Sequence, residues 1–172
     1  MSQLTSPKEL FVHELQDMYY AEKTLTKVLP KLAREATDRE LSKAFTHHLD
    51  ETRGQVENLE QVFKNIGKAA TAKQCPGIEG IREEHDHFLE ENDPSEEMLD
   101  VFLTGAAARA EHYEIAAYTG LIDKARALGE RDSVELLQEN LRQEKEALET
   151  VVSISKRMLK DAGNGASKRR AS

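Results

Sequence analysis

Apolar residues return along most of this chain at alternating spacings of three and four, which gathers them on one face of a helix. One such line runs Phe11, Leu15, Met18, Glu22, Leu25, Leu29, Leu32, and a second runs Leu41, Phe45, His48, Thr52, Gln55, Leu59, Val62, Ile66. A third contains Ala107, Glu111, Glu114, Tyr118 and Leu121, and a fourth reads Val134, Leu137, Leu141, Glu144, Leu148, Val151, Ser155, Met158.

Start and stop signals bracket these lines. Ser6-Pro7-Lys8-Glu9 reads as a capping box with proline at the first helical position. Thr37-Asp38-Arg39-Glu40 and Asp132-Ser133-Val134-Glu135 read as further boxes. Asp93-Pro94-Ser95-Glu96 offers an N-cap, a first-turn proline and acidic residues against the helix dipole. Gly67 and Gly129 stand where helices should stop. The pattern therefore predicts four long helices over about 7–36, 38–66, 95–128 and 133–161. Two tight joints make antiparallel hairpins of the first and second helices and of the third and fourth. The longer connection through Cys75-Pro76-Gly77 has room for a short helix over about 79–91, and lets one hairpin dock on the other. The expected fold is all-α, an antiparallel four-helix bundle over residues 1–161 with a short extra helix in the crossover. A disordered polar tail is expected over 162–172.

Composition supports this and removes other classes. A chain of 172 residues suffices for one domain with a real core. With 33% charged residues, 5% aromatics and no tryptophan, long solvent-facing helices are favoured over a β-sandwich. A formal charge of −8 repels phosphates and argues against a nucleic-acid partner, and Lys168-Arg169-Arg170 is too short to reverse that. No signal-peptide pattern or bilayer-length apolar run is present, so a cytoplasmic protein without a membrane partner is expected. Cys75 is the single cysteine, which excludes an internal disulfide and a cysteine-based zinc site. It is read as a loop residue before proline with nothing nearby to lower its pKa.

Each apolar line is interrupted near its middle by a titratable side chain. A lone carboxylate in a bundle core costs several kcal/mol unless it is paired or metal-bound. Counted from Thr37, Glu22 lies fifteen residues back and Glu51 fourteen forward; counted from Gly129, Glu114 and Glu144 each lie fifteen away. At ~1.5 Å per residue, both pairs stand roughly 20 Å from their turns. His48 is one turn from Glu51, and Glu111 one turn from Glu114. Six groups can thus meet at one level, where crowded carboxylates repel and two divalent cations would cancel the repulsion. Oxygen donors with an imidazole suit iron or manganese. The candidate ligands are Glu22, His48, Glu51, Glu111, Glu114 and Glu144, with Asp17, His112 and Gln55 as candidates to support them from behind. Arg109 and Lys124 are alternative partners for Glu111 and Glu114, and His48 could instead be a core histidine bonded to a carbonyl. His13, His47, His85 and His87 read as solvent-facing, and Tyr19, Tyr20, Tyr113 and Tyr118 as core or rim packing.

Ala21-Glu22-Lys23, His48-Leu49-Asp50-Glu51-Thr52 with Gln55, Glu111-His112-Tyr113-Glu114-Ile115-Ala116 and Glu144-Lys145 resemble the YciE/YciF ferritin-like stress proteins of bacteria, over about residues 5–160. The resemblance implies a ferritin-like bundle, a homodimer and a link to stress responses, without defining a reaction. Glu111-x-x-Glu114 is also similar, more distantly, to rubrerythrin. The wider ferritin pattern has Glu-x-x-His on the second and fourth helices. Here the second helix carries the reverse, His48-x-x-Glu51, and Ala147 stands where the other histidine would be. The expected function is a di-metal carboxylate protein that oxidises its metal or reduces peroxide or oxygen. Glu51 and Glu144 would bridge the ions, Glu22 and Glu114 would be terminal ligands, and His48 would bind one ion. The missing histidine favours metal binding without turnover, and a metal-free structural stress protein is the third reading.

Overall fold

The chain forms α1 (Pro7–Glu35), α2 (Arg39–Asn65), α3 (Pro76–Glu91), α4 (Glu96–Ala127) and α5 (Arg131–Arg170) in a computed structural model. It describes residues 4–170, with side chains through Gly163. Ser6 caps α1 as expected, in a reciprocal box with Glu9. Gly67 and Gly129 take positive φ, 70° and 76°. There the amide of Lys68 returns to the Phe63 carbonyl and that of Glu130 to Ala125, so the last carbonyls of α2 and α4 are satisfied.

Three expected caps are displaced. Asp38, not Thr37, caps α2, accepting from the amides of Glu40 and Leu41. Thr37 is diverted to Asp100 of α4, whose buried carboxylate accepts from the Thr37 amide (2.9 Å), the Thr37 hydroxyl (2.6 Å) and the Asp38 amide (2.9 Å). Ser95, not Asp93, caps α4. α5 already begins at Arg131, which takes Asp132 and Ser133 into its first turn and leaves no box there. α3 starts at Pro76, three residues before the expected position. Its N-cap residue Cys75 is buried, not looped out, and burial pushes its thiol pKa up. The backbone of α5 stays helical through Arg170, well past Asp161 and into the segment expected to be disordered; residues 171–172 lie outside those described.

α1 packs along α2 and α4 along α5, and the hairpins meet through α2 with α5 and α1 with α4. Contacts at the ends fix the directions. Asp100 holds the α1–α2 turn to the start of α4, Arg157 of α5 reaches Asp38 (2.8 Å), and Asn65 at the end of α2 donates to Ser133 (3.3 Å). The crossover must therefore run the length of the bundle, and α3 lies along α1 and α4. Tyr20 donates to Glu79 (2.8 Å), His85 meets Glu35 (3.0 Å), and Phe88 stacks on Phe102 at 3.7 Å. The seams of α1 and α2 are buried as read. The buried face of α5 differs: it runs Ser133, Leu137, Asn140, Glu144, Val151, Ile154, Met158, with Val134, Leu141 and Leu148 at its edge. Polar Ser133 and Asn140 are tolerated inside because α2 and α4 supply their hydrogen bonds. Among the described residues, no helix is long and apolar enough to cross a membrane.

Candidate metal centre

Midway along the bundle the four helices bury Glu22, His48, Glu111, Glu114 and Glu144, with exposures of 0%, 6%, 4%, 0% and 0%. One donor atom from each of His48, Glu111, Glu114 and Glu144 lies within 4.8 Å of the others. His48 points Nε2 into this group, 3.4 Å from Glu111 Oε1 and 3.6 Å from Glu144 Oε2. Its Nδ1 faces the other way, 3.5 Å from Glu51 Oε2. Gln55 donates to Glu144 Oε1.

The oxygens that remain decide the chemistry. Glu22 Oε2, Glu111 Oε2, both oxygens of Glu114 and Glu144 Oε2 are buried with no hydrogen-bond partner. Buried polar atoms are rarely left so. Arg109 and Lys124 do not rescue them, since they pair outside the core with Glu84 and Glu14, each at 2.7 Å. Burial is the first cause that pushes the carboxyl groups of Glu22, Glu111 and Glu114 well above the ordinary range, and their mutual repulsion and that of Glu144 add to it. Carboxyl oxygens without donors, facing one imidazole nitrogen, fit a divalent cation such as iron or manganese, which would displace their protons.

Two of the expected supports lie elsewhere. Asp17 accepts from Tyr113 (3.4 Å), whose hydroxyl also meets Cys75 Sγ (2.9 Å), beneath the start of α3. His112 is exposed on α4. Glu51 is only half-buried, lies between His47 and His48, and is outside the group of four donors; its hydrogen bond with His48 is the main cause that lowers its pKa. His85 is not simply solvated, since it is half-buried against Glu35 and Phe102. Tyr118 is in the core, as the sequence reading had it, but its link to Glu22 was missed, and so was Asn140. Tyr118 is fully buried and donates its hydroxyl to Glu22, while accepting from Asn140 (3.0 Å), which in turn accepts from Asn58 (2.7 Å). The signal was present: Tyr118 follows Glu114, and Asn140 precedes Glu144, by one helical turn.

Ala147, where a second histidine would stand in the ferritin pattern, is half-buried and lines a pocket of about 160 Å³ with His47, His48, Glu51 and Glu146. The substitution thus leaves open space beside the imidazole between α2 and α5. Residues 6–162 match DUF892, a domain of unknown function. The chain belongs to this family. Protein YciF of Escherichia coli K12 is 41% identical over 139 residues, 80% of this chain and 83% of YciF. The crystal structure of the E. coli stress protein YciF superposes with a TM-score of 0.86 at 36% identity, covering 91% of this chain and 99% of that one. YcfI from Rhodopseudomonas palustris, for which a structural role has been suggested, gives 0.84 at 41% identity over 87% and 94% of the two chains. A protein of Xanthomonas campestris pv. campestris shares the fold at 22% identity and a TM-score of 0.72. The DUF892 bundle is thus the YciF-type helical fold expected from the sequence.

Proposed function

We propose that this YciF-type protein binds divalent iron or manganese at the His48–Glu111–Glu114–Glu144 group, with Glu22 extending the site to a second ion. The observation that carries this is the set of five buried, unpartnered carboxylate oxygens on Glu22, Glu111, Glu114 and Glu144. Two cations would satisfy them and remove the mutual repulsion. His48 would bind through Nε2, while Glu51 at Nδ1 fixes the ring and keeps it basic. Glu51 thus supports a ligand in this reading, where the sequence cast it as a bridge. Tyr118 holds Glu22, and Gln55 holds Glu144, so two of the carboxylates are oriented before any ion arrives. Iron or manganese, once bound, would supply one-electron chemistry toward oxygen or peroxide.

The test is elemental analysis of the protein purified from its own cells, together with metal titration of the metal-free chain. Iron or manganese should co-purify at up to two ions per chain, and adding either should raise the melting temperature, because metal binds only the folded state. A protein that co-purifies without metal, and whose melting is unmoved by Fe(II) and Mn(II), would leave the structural reading suggested for the Rhodopseudomonas relative. Consumption of peroxide by the loaded protein separates turnover from binding alone.

A further inference from the structure

A second cavity reaches the same cluster from the opposite side, and its walls have a different chemistry. It has a volume of about 160 Å³ and lies under α3, between α1 and α4. Leu25, Val28, Ile78, Ile81, Ala106 and Ala107 line its inner length, and the paired His85 and Glu35 stand on its rim. Its inner end is His48, Glu111 and Glu114. It opens to solvent beside Arg82 and Asp86, both exposed. The cause lies in the sequence. α3 packs chiefly on α4, through Phe88 on Phe102, and the facing stretch of α4 is Ala106-Ala107 with Ala110 one turn on, where larger residues would have closed the space.

We propose that this cavity seats a small organic molecule with an alkyl or aryl body and one oxygen-bearing end, the oxygen directed at His48, Glu111 and Glu114. Aliphatic walls strip water from the body, and a cavity of roughly 150 Å³ lined by aliphatic side chains is known to take a benzene-sized molecule, so about six to ten heavy atoms fit. The inner end is the one place along the cavity where unpartnered polar atoms wait: Glu111 Oε2 and both oxygens of Glu114, on side chains 4% and 0% exposed. A molecule apolar throughout would leave them unmet; a bare ion or hydrogen peroxide would leave the walls unmet. The arrangement makes an organic oxygen compound, such as an alkyl hydroperoxide or an alcohol, the ligand class of the metal centre. That assignment rests on the metal reading only for what the oxygen meets.

The test uses hexan-1-ol as the probe and the full-length chain, metal-free and Mn(II)-loaded. Saturable binding to the metal-free protein is expected by ligand-observed NMR, and Ala106→Phe should weaken it at least tenfold by filling the cavity while leaving the five cluster residues in place. Ile81→Ala is the second variant, in case the first folds poorly, and should shift preference to longer alkanols. In the Mn(II) form, paramagnetic relaxation should be strongest at the carbon bearing the hydroxyl and weakest at the terminal methyl. No saturable binding of any alkanol from butanol to decanol would overturn the proposal. So would unchanged binding in Ala106→Phe together with an unchanged chain-length preference in Ile81→Ala, or relaxation strongest at the methyl end. Failure of Mn(II) to bind would sink the metal reading alone, since alkanol binding to the metal-free protein still decides the cavity.

Discussion

Glu22 and Glu51 stand at nearly equal distances from the turn joining α1 to α2, yet the bundle puts them in opposite environments. Glu22 is fully buried, beside Glu114 and Glu144, with one oxygen held by Tyr118 and the other unpartnered; its pKa is pushed up. Glu51 keeps contact with solvent, sits between two histidines, and has its pKa lowered. Height along the bundle is the same for both, so height did not decide their chemistry. Phase did. Glu22 lies on the buried seam of α1, whereas His48, Thr52 and Gln55 hold the seam of α2 and leave Glu51 one position off it, toward α5. The sealed side holds carboxyl groups that ionise only when a cation offsets their burial, the open side carries charge that already has partners, and His48 joins the two with one ring nitrogen on each.

The largest test of this contrast is Glu114→Leu. Both Glu114 oxygens are unpartnered, so nothing in the metal-free protein loses a hydrogen bond, in contrast with Glu144, whose replacement would strand Gln55. Relief of repulsion and added apolar burial should stabilise the metal-free chain by about 1–3 kcal/mol. For a chain of this length that is several degrees of melting temperature, at about 2–4 °C per kcal/mol. Metal affinity should fall by about a thousandfold or more, of order 4 kcal/mol. Calorimetric melting with and without Mn(II) reads both effects; a destabilised metal-free variant would mean that Glu114 was already paired.

Acidity gives the next handle, and its sign follows from burial. Glu22, Glu111 and Glu114 have raised pKa values in the folded chain, so the unfolded chain holds fewer protons on them at neutral pH. Their contribution is fully present below the ordinary value of 4.5 and is lost as pH rises through the raised values. Glu51 has the opposite sign: its contribution is present above the ordinary value and lost as pH falls through its lowered one. As pH rises above 4.5 the sealed groups dominate, and the metal-free protein should melt at progressively lower temperature. Metal binding at neutral pH should release protons, measurable by titration in buffers of different ionisation enthalpy, and should flatten the slope. A flat slope without metal would count against the sealed cluster.

Much of this arrangement was legible in the sequence because it obeys period and length. Gly67, Gly129 and Ser6 ended and started helices where they were read, and the seams of α1 and α2 were buried residue for residue, carboxylate and imidazole included. What escaped were polar groups whose partners come from another helix. Asp100 leaves no mark in an apolar pattern, yet it takes Thr37 away from its expected cap; Asn140 is buried because Tyr118 and Gln55 receive its amide, which turned the face of α5 away from Val134 and Leu141. Asp17 and His112 share helices with Glu22 and Glu111 but not their phase: Asp17 turns to Tyr113, and His112 faces out.

Tyr118→Phe probes the sealed side more gently. Burial pushes the Tyr118 pKa far above its ordinary value, so the phenol stays protonated and donates to Glu22. Phenylalanine fills the same space and leaves Glu22 Oε1 without its donor, whereas Asn140 keeps the Gln55 carbonyl at 3.3 Å. The expected loss is about 1–2 kcal/mol of stability without metal, read by chemical denaturation, with metal affinity falling less than in Glu114→Leu. Unchanged stability would show that the hydroxyl is not bonded to Glu22.

The smallest expected effect bears hardest on the open side. If Glu51 orients His48 through Nδ1, then Glu51→Gln keeps an acceptor near the ring but removes the charge that makes the imidazole a better donor. Loss of such an outer partner weakens metal binding by about 10–100-fold, and the amide, which still accepts, should fall near tenfold, or about 1.4 kcal/mol. Stability without metal should hardly move, because the amide oxygen still accepts from His48 and the second contact, to exposed His47, contributes little. If Glu51 were instead a bridging ligand, as the spacing alone suggested, the same substitution would approach the loss expected for Glu114→Leu and would remove one ion from the stoichiometry. Metal titrations of the two variants side by side therefore decide the role of Glu51. A tenfold change at full stoichiometry places it behind the histidine, and a thousandfold change with half the metal places it between the ions.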